Sequence, residues 1–236
     1  MEQRPALKAN PEQAERLHHF AHDLRNRLAG MQQVLAQLGA ATADPEQVEF
    51  VHFAEQQYFK AMRSTEELLD DLGVDRGPGT LRKTDLDLTV LVHKSIADLQ
   101  HRFQRKQQRV AVSTTGTTIV EADAHWIEQL VQALLTNASK FTPNDGGIAI
   151  NIAKERNTVV LSVTDSGVGM DREDLDHVFQ RYAWLKSRTT HGEPQGRSTL
   201  ARAREWARAH GGELQAHSNG PGTGCTFQLT LPSTAA

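Results

Sequence analysis

Apolar residues recur every three or four positions through the first third of the chain. Leu17, Ala21, Leu24, Leu28, Met31, Leu35 and Leu38 form a heptad seam, and Val51, Ala54, Tyr58, Ala61, Thr65, Leu68 and Leu72 form a second. Each predicts a long helix. Both helices open with the same start signal, Asn10-Pro11-Glu12-Gln13 and Asp44-Pro45-Glu46-Gln47: an Asx cap, proline at the first helical position and glutamine at the capping-box position. Gly39 is set to end the first helix, and the short connection to Asp44 predicts an antiparallel helical hairpin. A lone hairpin leaves two narrow seams half covered. Two hairpins paired as a four-helix bundle cover them, so a homodimer is expected.

Gly77-Pro78-Gly79 breaks the helical pattern and marks a boundary, giving domains over residues 1–76 and 77–236. The pattern then turns mixed. A helix is expected over about 87–107, strands at Val110–Ser113 and Thr118–Glu121, and a helix over about 124–141. Alternating strands follow at Ile148–Ala153 and Val159–Thr164, then a helix over about 198–210 and strands at Glu213–Ser218 and Thr226–Leu231. The expected class is α+β, with the helical hairpin followed by a two-layer α/β sandwich.

Composition narrows the function. With 236 residues, 38% of them hydrophobic, the chain can bury a good core. A formal net charge of -3 offers no basic field for nucleic acid or anionic membrane. The single cysteine, Cys225, excludes an intrachain disulfide framework. The first residues, MEQRPALKAN, lack the layout of a signal peptide, and no apolar run is long enough to span a bilayer, so a cytoplasmic protein is expected.

Candidate chemistry sits at three places. His22 falls just off the first seam, with Asp23 beside it and Asn26 one turn on. A neutral imidazole is a nucleophile near neutral pH, and a neighbouring carboxylate can orient it and accept its other proton. Asn137 offers a hard amide oxygen suited to Mg²⁺, and Lys140, one turn along, a cation for phosphate. Asp165-Ser166-Gly167-Val168-Gly169-Met170 follows a hydrophobic strand. Its carboxylate can accept a hydrogen bond from the adenine amino group, and Gly167 and Gly169 permit a tight path close to a ligand.

These strings resemble, in the same order, the boxes of sensor histidine kinases. Phe20-Ala21-His22-Asp23-Leu24-Arg25-Asn26-Arg27-Leu28 resembles the H-box, with Arg27 where proline is usual. Trp126 to Thr142 is similar to the N-box, with Ala133 where a second asparagine is common, and Asp165–Met170 to the first glycine box. Val178-Phe179-Gln180-Arg181-Tyr182 resembles the box after it, and His210-Gly211-Gly212 with Gly222–Phe227 the closing segments. The resemblance implies that His22 is the phospho-acceptor, Asp23 its acid/base partner, and that Asn26 positions water for dephosphorylation of a response regulator. It further implies the ATPase fold shared with gyrase and the heat-shock ninety chaperones, with ATP and Mg²⁺ as cofactors and a response-regulator receiver domain as partner.

The second glycine box departs from that pattern. Gly-x-Gly-Leu-Gly-Leu falls on Gln195-Gly196-Arg197-Ser198-Thr199-Leu200, which keeps Leu200, puts Thr199 at a glycine position and offers Arg197 to the phosphates. Losing two charge-assisted hydrogen bonds at roughly 1.5–3 kcal/mol each would weaken ATP by about two to four orders of magnitude. A bidentate guanidinium can offset much of that. Two readings follow: an ATP-dependent protein-histidine kinase, or a phosphotransfer or regulator-phosphatase module that does not use ATP. With about ten residues before the first helix, the signal is expected from a separate sensor protein or from a longer chain of which this is the core.

Overall fold

The computed structural model describes residues 44–71, 80–191 and 198–234, together with Phe20, Leu24, Gly30, Met31, Val34, Leu35, Gln37, Leu38 and Gly39. The first helix start at Asn10, the seam positions Leu17, Ala21, Leu28 and Leu72, the boundary at Gly77–Gly79, and His22, Asp23, Asn26 and Arg197 lie outside the described residues. The chain divides into two compact units, Met1–Gly77 and Pro78–Ala236.

In the first unit, helix α1 (Pro45–Asp71) begins where its start signal lies. The Asp44 carboxylate accepts the Glu46 N–H at 3.1 Å, satisfying one of the amides a helix start leaves open. Phe59 and Met62 are the buried anchors, each 3% exposed. Ala61, expected on the seam, is exposed, because a straight helix turns 3.6 residues per turn and the buried stripe drifts from Tyr58 to Met62. Gly39 is itself helical, and residues 40–43, where the expected stop would show, lie outside the described residues. A Cβ there would come within 3.2 Å of Val51 Cγ1, so the missing side chain serves close approach. Phe20, Met31, Val34, Leu38, Phe50 and Phe53 are each more than half exposed within a single chain.

The second unit runs β1 (Thr84–Asp87), α2 (Leu88–Asp98), α3 (Gln100–Arg105), β2 (Arg109–Thr115), β3 (Ile119–Ala122) and α4 (Ala124–Phe141). It continues β4 (Gly147–Glu155), β5 (Thr158–Asp165), α5 (Arg172–His177), α6 (Thr199–Ala209), β6 (Glu213–His217) and β7 (Cys225–Pro232). Five strands form one mixed sheet in the order β2-β4-β5-β7-β6, where only β2 and β4 are parallel. β1 and β3 form a small antiparallel pair. Strand alternation makes the layers: Ile148, Ile150 and Ile152 of β4, with Phe227, Leu229 and Leu231 of β7, are buried, while Ala149 and Asn151 between them are exposed. The buried face is covered by α4, whose stripe Ile127, Leu130, Val131, Leu134, Leu135 and Ala138 is fully enclosed and which packs on α2, α6 and β5.

The helix expected over 87–107 is two helices, broken at Leu99, where ψ is 3°. The apolar spacing Leu88, Leu91, Val92, Ser95, Leu99, Phe103 runs through the break without interruption and so cannot reveal it. His210 explains its place at the end of α6. Its Nδ1–H donates to the Trp206 carbonyl at 2.7 Å, and Nε2 accepts the Asp123 N–H at 3.1 Å, docking the end of α6 on the start of α4.

Candidate functional site

The site forms where α4 ends above the end of β5. Asp165 is the last residue of β5, beside Cys225 at the start of β7. Its carboxylate is 4% exposed and accepts the Gly167 N–H at 2.9 Å. Burial pushes its pKa up to about 6, against the lowering effect of hydrogen bonds from the Gly167 and Cys225 amides. A carboxylate held in so dry a place favours a ligand that donates a hydrogen bond to it.

The two glycines are required by packing. A Cβ at Gly167 would collide with the Phe141 carbonyl and the Asp165 carboxylate; one at Gly169, where φ is +68°, would run into the Gly220 carbonyl. Without side chains the turn slides under the end of α4, and Val168 N–H donates to the Phe141 carbonyl at 3.2 Å. On its far side the turn is stitched to the β6–β7 connection, where Gly222 N–H donates to Val168 O at 2.6 Å and Gly224 N–H to Gly167 O at 3.1 Å.

A narrow cavity of about 30 Å³ lies beside Asp165, lined also by Gly169, Met170, Asn137 and Cys225. A wider cleft of about 290 Å³ shares Asn137, Phe141, Val178, Leu185 and Leu200 with it and extends to Ala133, Lys140, Thr199 and Trp206. Asn137, Lys140, Asp165, Gly169, Thr199 and Leu200 therefore surround two adjoining spaces, with Gly167 in the turn beside the narrow one. The lining places the buried Asp165 carboxylate at the narrow end and the Lys140 cation at the wide one. An amide oxygen at the junction, from Asn137, is the donor a hard divalent cation prefers. Ala133 leaves the wall of the wide cleft apolar one turn before Asn137.

The segment resembling the fourth box holds α6 against the cleft. Arg181 grips Glu205 with Nε at 3.2 Å and one terminal nitrogen at 2.8 Å, and the Arg204 guanidinium lies 4.8 Å over the Phe179 ring. Pattern and motif gave no sign of Asp174, and gave Cys225 no role in the site. The Asp174 carboxylate, 3% exposed, accepts the Lys186 and Ser187 amides, each at 2.8 Å, and so fixes the wall carrying Leu185 and Ser187. Cys225, part of the closing segment in the sequence, lines the narrow cavity, where burial and the Asp165 charge push its thiol up to about 12. Among the described residues no cluster of side chains could hold a metal alone, and no helix is long and apolar enough to cross a membrane.

Residues 122–235 match the family described as histidine kinase-, DNA gyrase B-, and HSP90-like ATPase. The chain is 27% identical to the sensor-like histidine kinase SenX3 of Mycolicibacterium smegmatis over 91% of this chain and 56% of that protein. It is 28% identical to the sensor protein KdpD of Clostridium acetobutylicum over 92% of this chain and 24% of that one. The chain thus spans about half, or less, of the length of these relatives. Among solved structures, full-length ShkA in complex with AMPPNP aligns with a TM-score of 0.62 at 20% identity, covering 94% of this chain and 47% of that one. Histidine kinase ThkA in complex with the response regulator protein TrrA aligns at 0.57 and 19% identity, covering 95% and 62%. At that identity the structural likeness speaks to the fold. Residues 122–235 therefore form a histidine kinase-, DNA gyrase B-, and HSP90-like ATPase domain, in a chain that is similar to sensor histidine kinases over about nine tenths of its length.

Proposed function

We propose that the chain is an ATP-dependent protein-histidine kinase of two-component signalling, which phosphorylates His22 and passes the phosphoryl group to an aspartate on a response-regulator receiver domain. The observation that carries this reading is the pair of adjoining spaces with the buried Asp165 at one end, Lys140 at the other and Asn137 lining both. Asp165 would accept the adenine amino proton, with the Gly167–Gly169 turn as the floor beneath the base. Asn137 would give its amide oxygen to the Mg²⁺ that accompanies the phosphates and neutralises their charge, and Lys140 would add a second positive charge.

In the transfer, an imidazole nitrogen of His22 attacks the γ-phosphorus. The N–P bond forms as the bond to the ADP oxygen breaks, ADP leaves, and Asp23 accepts the other ring proton. Two hairpins would pair as a four-helix bundle. The exposed Met31, Leu38, Phe50 and Phe53 support that homodimer, since a single chain leaves so much apolar surface uncovered.

A titration tests the nucleotide reading. Trp206 lines the wide cleft, so its fluorescence should change as ATP is added with Mg²⁺. Arg197→Ala should then weaken ATP by roughly tenfold or more while leaving adenosine within about twofold, because an arginine at the outer phosphates contributes little to the base. Equal ATP affinity in the variant would remove Arg197 from the site. No binding by the wild type even at millimolar ATP would favour the module that receives phosphate from another protein.

Asn26 is assigned to dephosphorylation of the regulator, as a residue one turn from His22 with no ionisable group. Asn26→Ala should slow phosphate loss from a cognate receiver several-fold while His22 labelling is largely kept. Equal loss of both activities would instead make Asn26 part of the docking surface.

A further inference from the structure

The end of α4 is unusual in where its carbonyls find donors. The last four carbonyls of a helix have no partner within it. Here Ala138 O accepts the Thr142 N–H at 3.0 Å, Phe141 O accepts Val168 N–H, and Lys140 O accepts the Thr190 N–H at 3.0 Å. Ser139 O accepts the Lys106 ammonium at 2.8 Å and the Gln108 amide at 3.0 Å. Three separate segments therefore complete this one turn, and Asn137 and Lys140 stand on it.

Lys106 is the common element. It is 2% exposed, follows α3 directly, and reaches Lys140 O at 3.3 Å, Thr142 O at 3.4 Å and the Thr190 hydroxyl at 2.8 Å besides Ser139 O. A buried ammonium at the negative end of a helix dipole is in a favourable field and satisfies acceptors that would otherwise be stranded in a dry place. Thr190 in turn donates towards Lys140 O and Thr142 O, each 3.1 Å from its hydroxyl oxygen. The Asp174 carboxylate holds Lys186 and Ser187 a few residues earlier. The wall formed by residues 185–190 is thus fastened at both ends, and Lys106 is the fastener on the α4 side.

We propose that Lys106 is a positioning residue of the nucleotide site: it fixes the last turn of α4, and through Thr190 the adjoining wall, so that Asn137 and Lys140 face the phosphates. This rests on the reading of the cleft as an ATP site. Lys106 acts on the phosphate half more than on the base half. The Asp165–Gly169 turn, besides its one bond to Phe141 O, is anchored by the β5–β7 register and by bonds from Gly222 and Gly224, none of which involves Lys106, whereas Ser139 O, Lys140 O and Thr142 O beside Asn137 and Lys140 all accept from the ammonium.

The test titrates ATP, ADP and adenosine into the full chain with Mg²⁺, for the wild type, Lys106→Met and Thr190→Val. Lys106→Met keeps the shape and removes the donors; it should weaken ATP roughly tenfold or more and adenosine by less than about threefold. Thr190→Val removes only the hydroxyl link, is expected to fold normally, and should weaken ATP about threefold with adenosine unchanged. If Lys106→Met does not fold, Thr190→Val decides alone. ATP affinity equal to that of the wild type in every folded variant overturns the proposal. So does parallel loss of ATP and adenosine, which would mark a general structural role. Failure of the wild type to bind ATP is a separate outcome that sinks the nucleotide reading itself, and this proposal with it.

Discussion

His22→Ala should abolish incorporation of phosphate from γ-labelled ATP, by at least about a hundredfold if the imidazole is the sole acceptor. His18→Ala and His19→Ala should retain it. The three histidines fall on one predicted helix, so the comparison isolates chemistry from surface composition. Only His22 has an acidic neighbour immediately after it and Asn26 one turn on. The label in the wild type should be released by acid and survive base, as a phosphoramidate does and a phosphoserine does not. His22→Ala should still bind ATP, because the cleft is built wholly from residues of the second unit. Persistent acid-labile label in His22→Ala would move the acceptor elsewhere.

The second large effect is expected at Asp165. Asp165→Asn should weaken ATP, ADP and adenosine alike, each by roughly ten- to a hundredfold, since the lost interaction is a charge-assisted hydrogen bond to the base common to all three. The sign of the pH dependence follows from burial. The folded value is raised from 3.8 to about 6, so the folded domain binds the proton more tightly than the unfolded chain does. Stability from this group is therefore greatest below the unfolded value and is lost as pH rises through about 6. At neutral pH the empty site carries an ionised carboxylate at a cost on the order of 3 kcal/mol. Asparagine removes that charge while keeping one acceptor, so the ligand-free variant should melt no lower than the wild type at about pH 7.5. Wild-type nucleotide affinity should fall as pH drops through about 6, and the variant's should not. Flat wild-type affinity between about pH 5 and pH 8 would remove the Asp165 carboxylate from base recognition.

What the sequence made legible follows from how local each signal is. The bounds of α4 could be read because Asp123 caps its start, Pro143 follows its end, and a full amphipathic stripe lies between. The core strands could be read from alternation. β1 could not, since in Thr84-Asp85-Leu86-Asp87 only Leu86 is even half buried and the strand exists through its pairing with β3. α5, six residues with one buried position, has too little periodicity to show. The site divides in the same way. Asn137, Lys140, Asp165 and the two glycines stand in contiguous motifs, and Thr199 and Leu200 could be located by counting back from His210. Lys106, Asp174 and Thr190 carry no motif. Lys106 meets Thr190 across 84 residues of chain, and such partners are set by the folded topology alone.

The completion of α4 by distant donors also bears on how the domain folds. Helix ends ordinarily fray, opening and closing at little cost without disturbing the rest of the protein. The last turn of α4 cannot behave so, because its carbonyls accept from the Lys106–Gln108 segment, from Thr190 and from the Val168 turn, and all of these must be in place together. In a nascent or partly folded chain this turn would be the part of α4 least able to persist. In the finished domain its amides should exchange with solvent only through openings that involve the sheet edge at β2, the α5–α6 connection and the β5 turn at once. The turn that carries Asn137 and Lys140 is then among the last pieces to form and among the hardest to open alone, so the cleft emerges as a property of the whole cooperative unit.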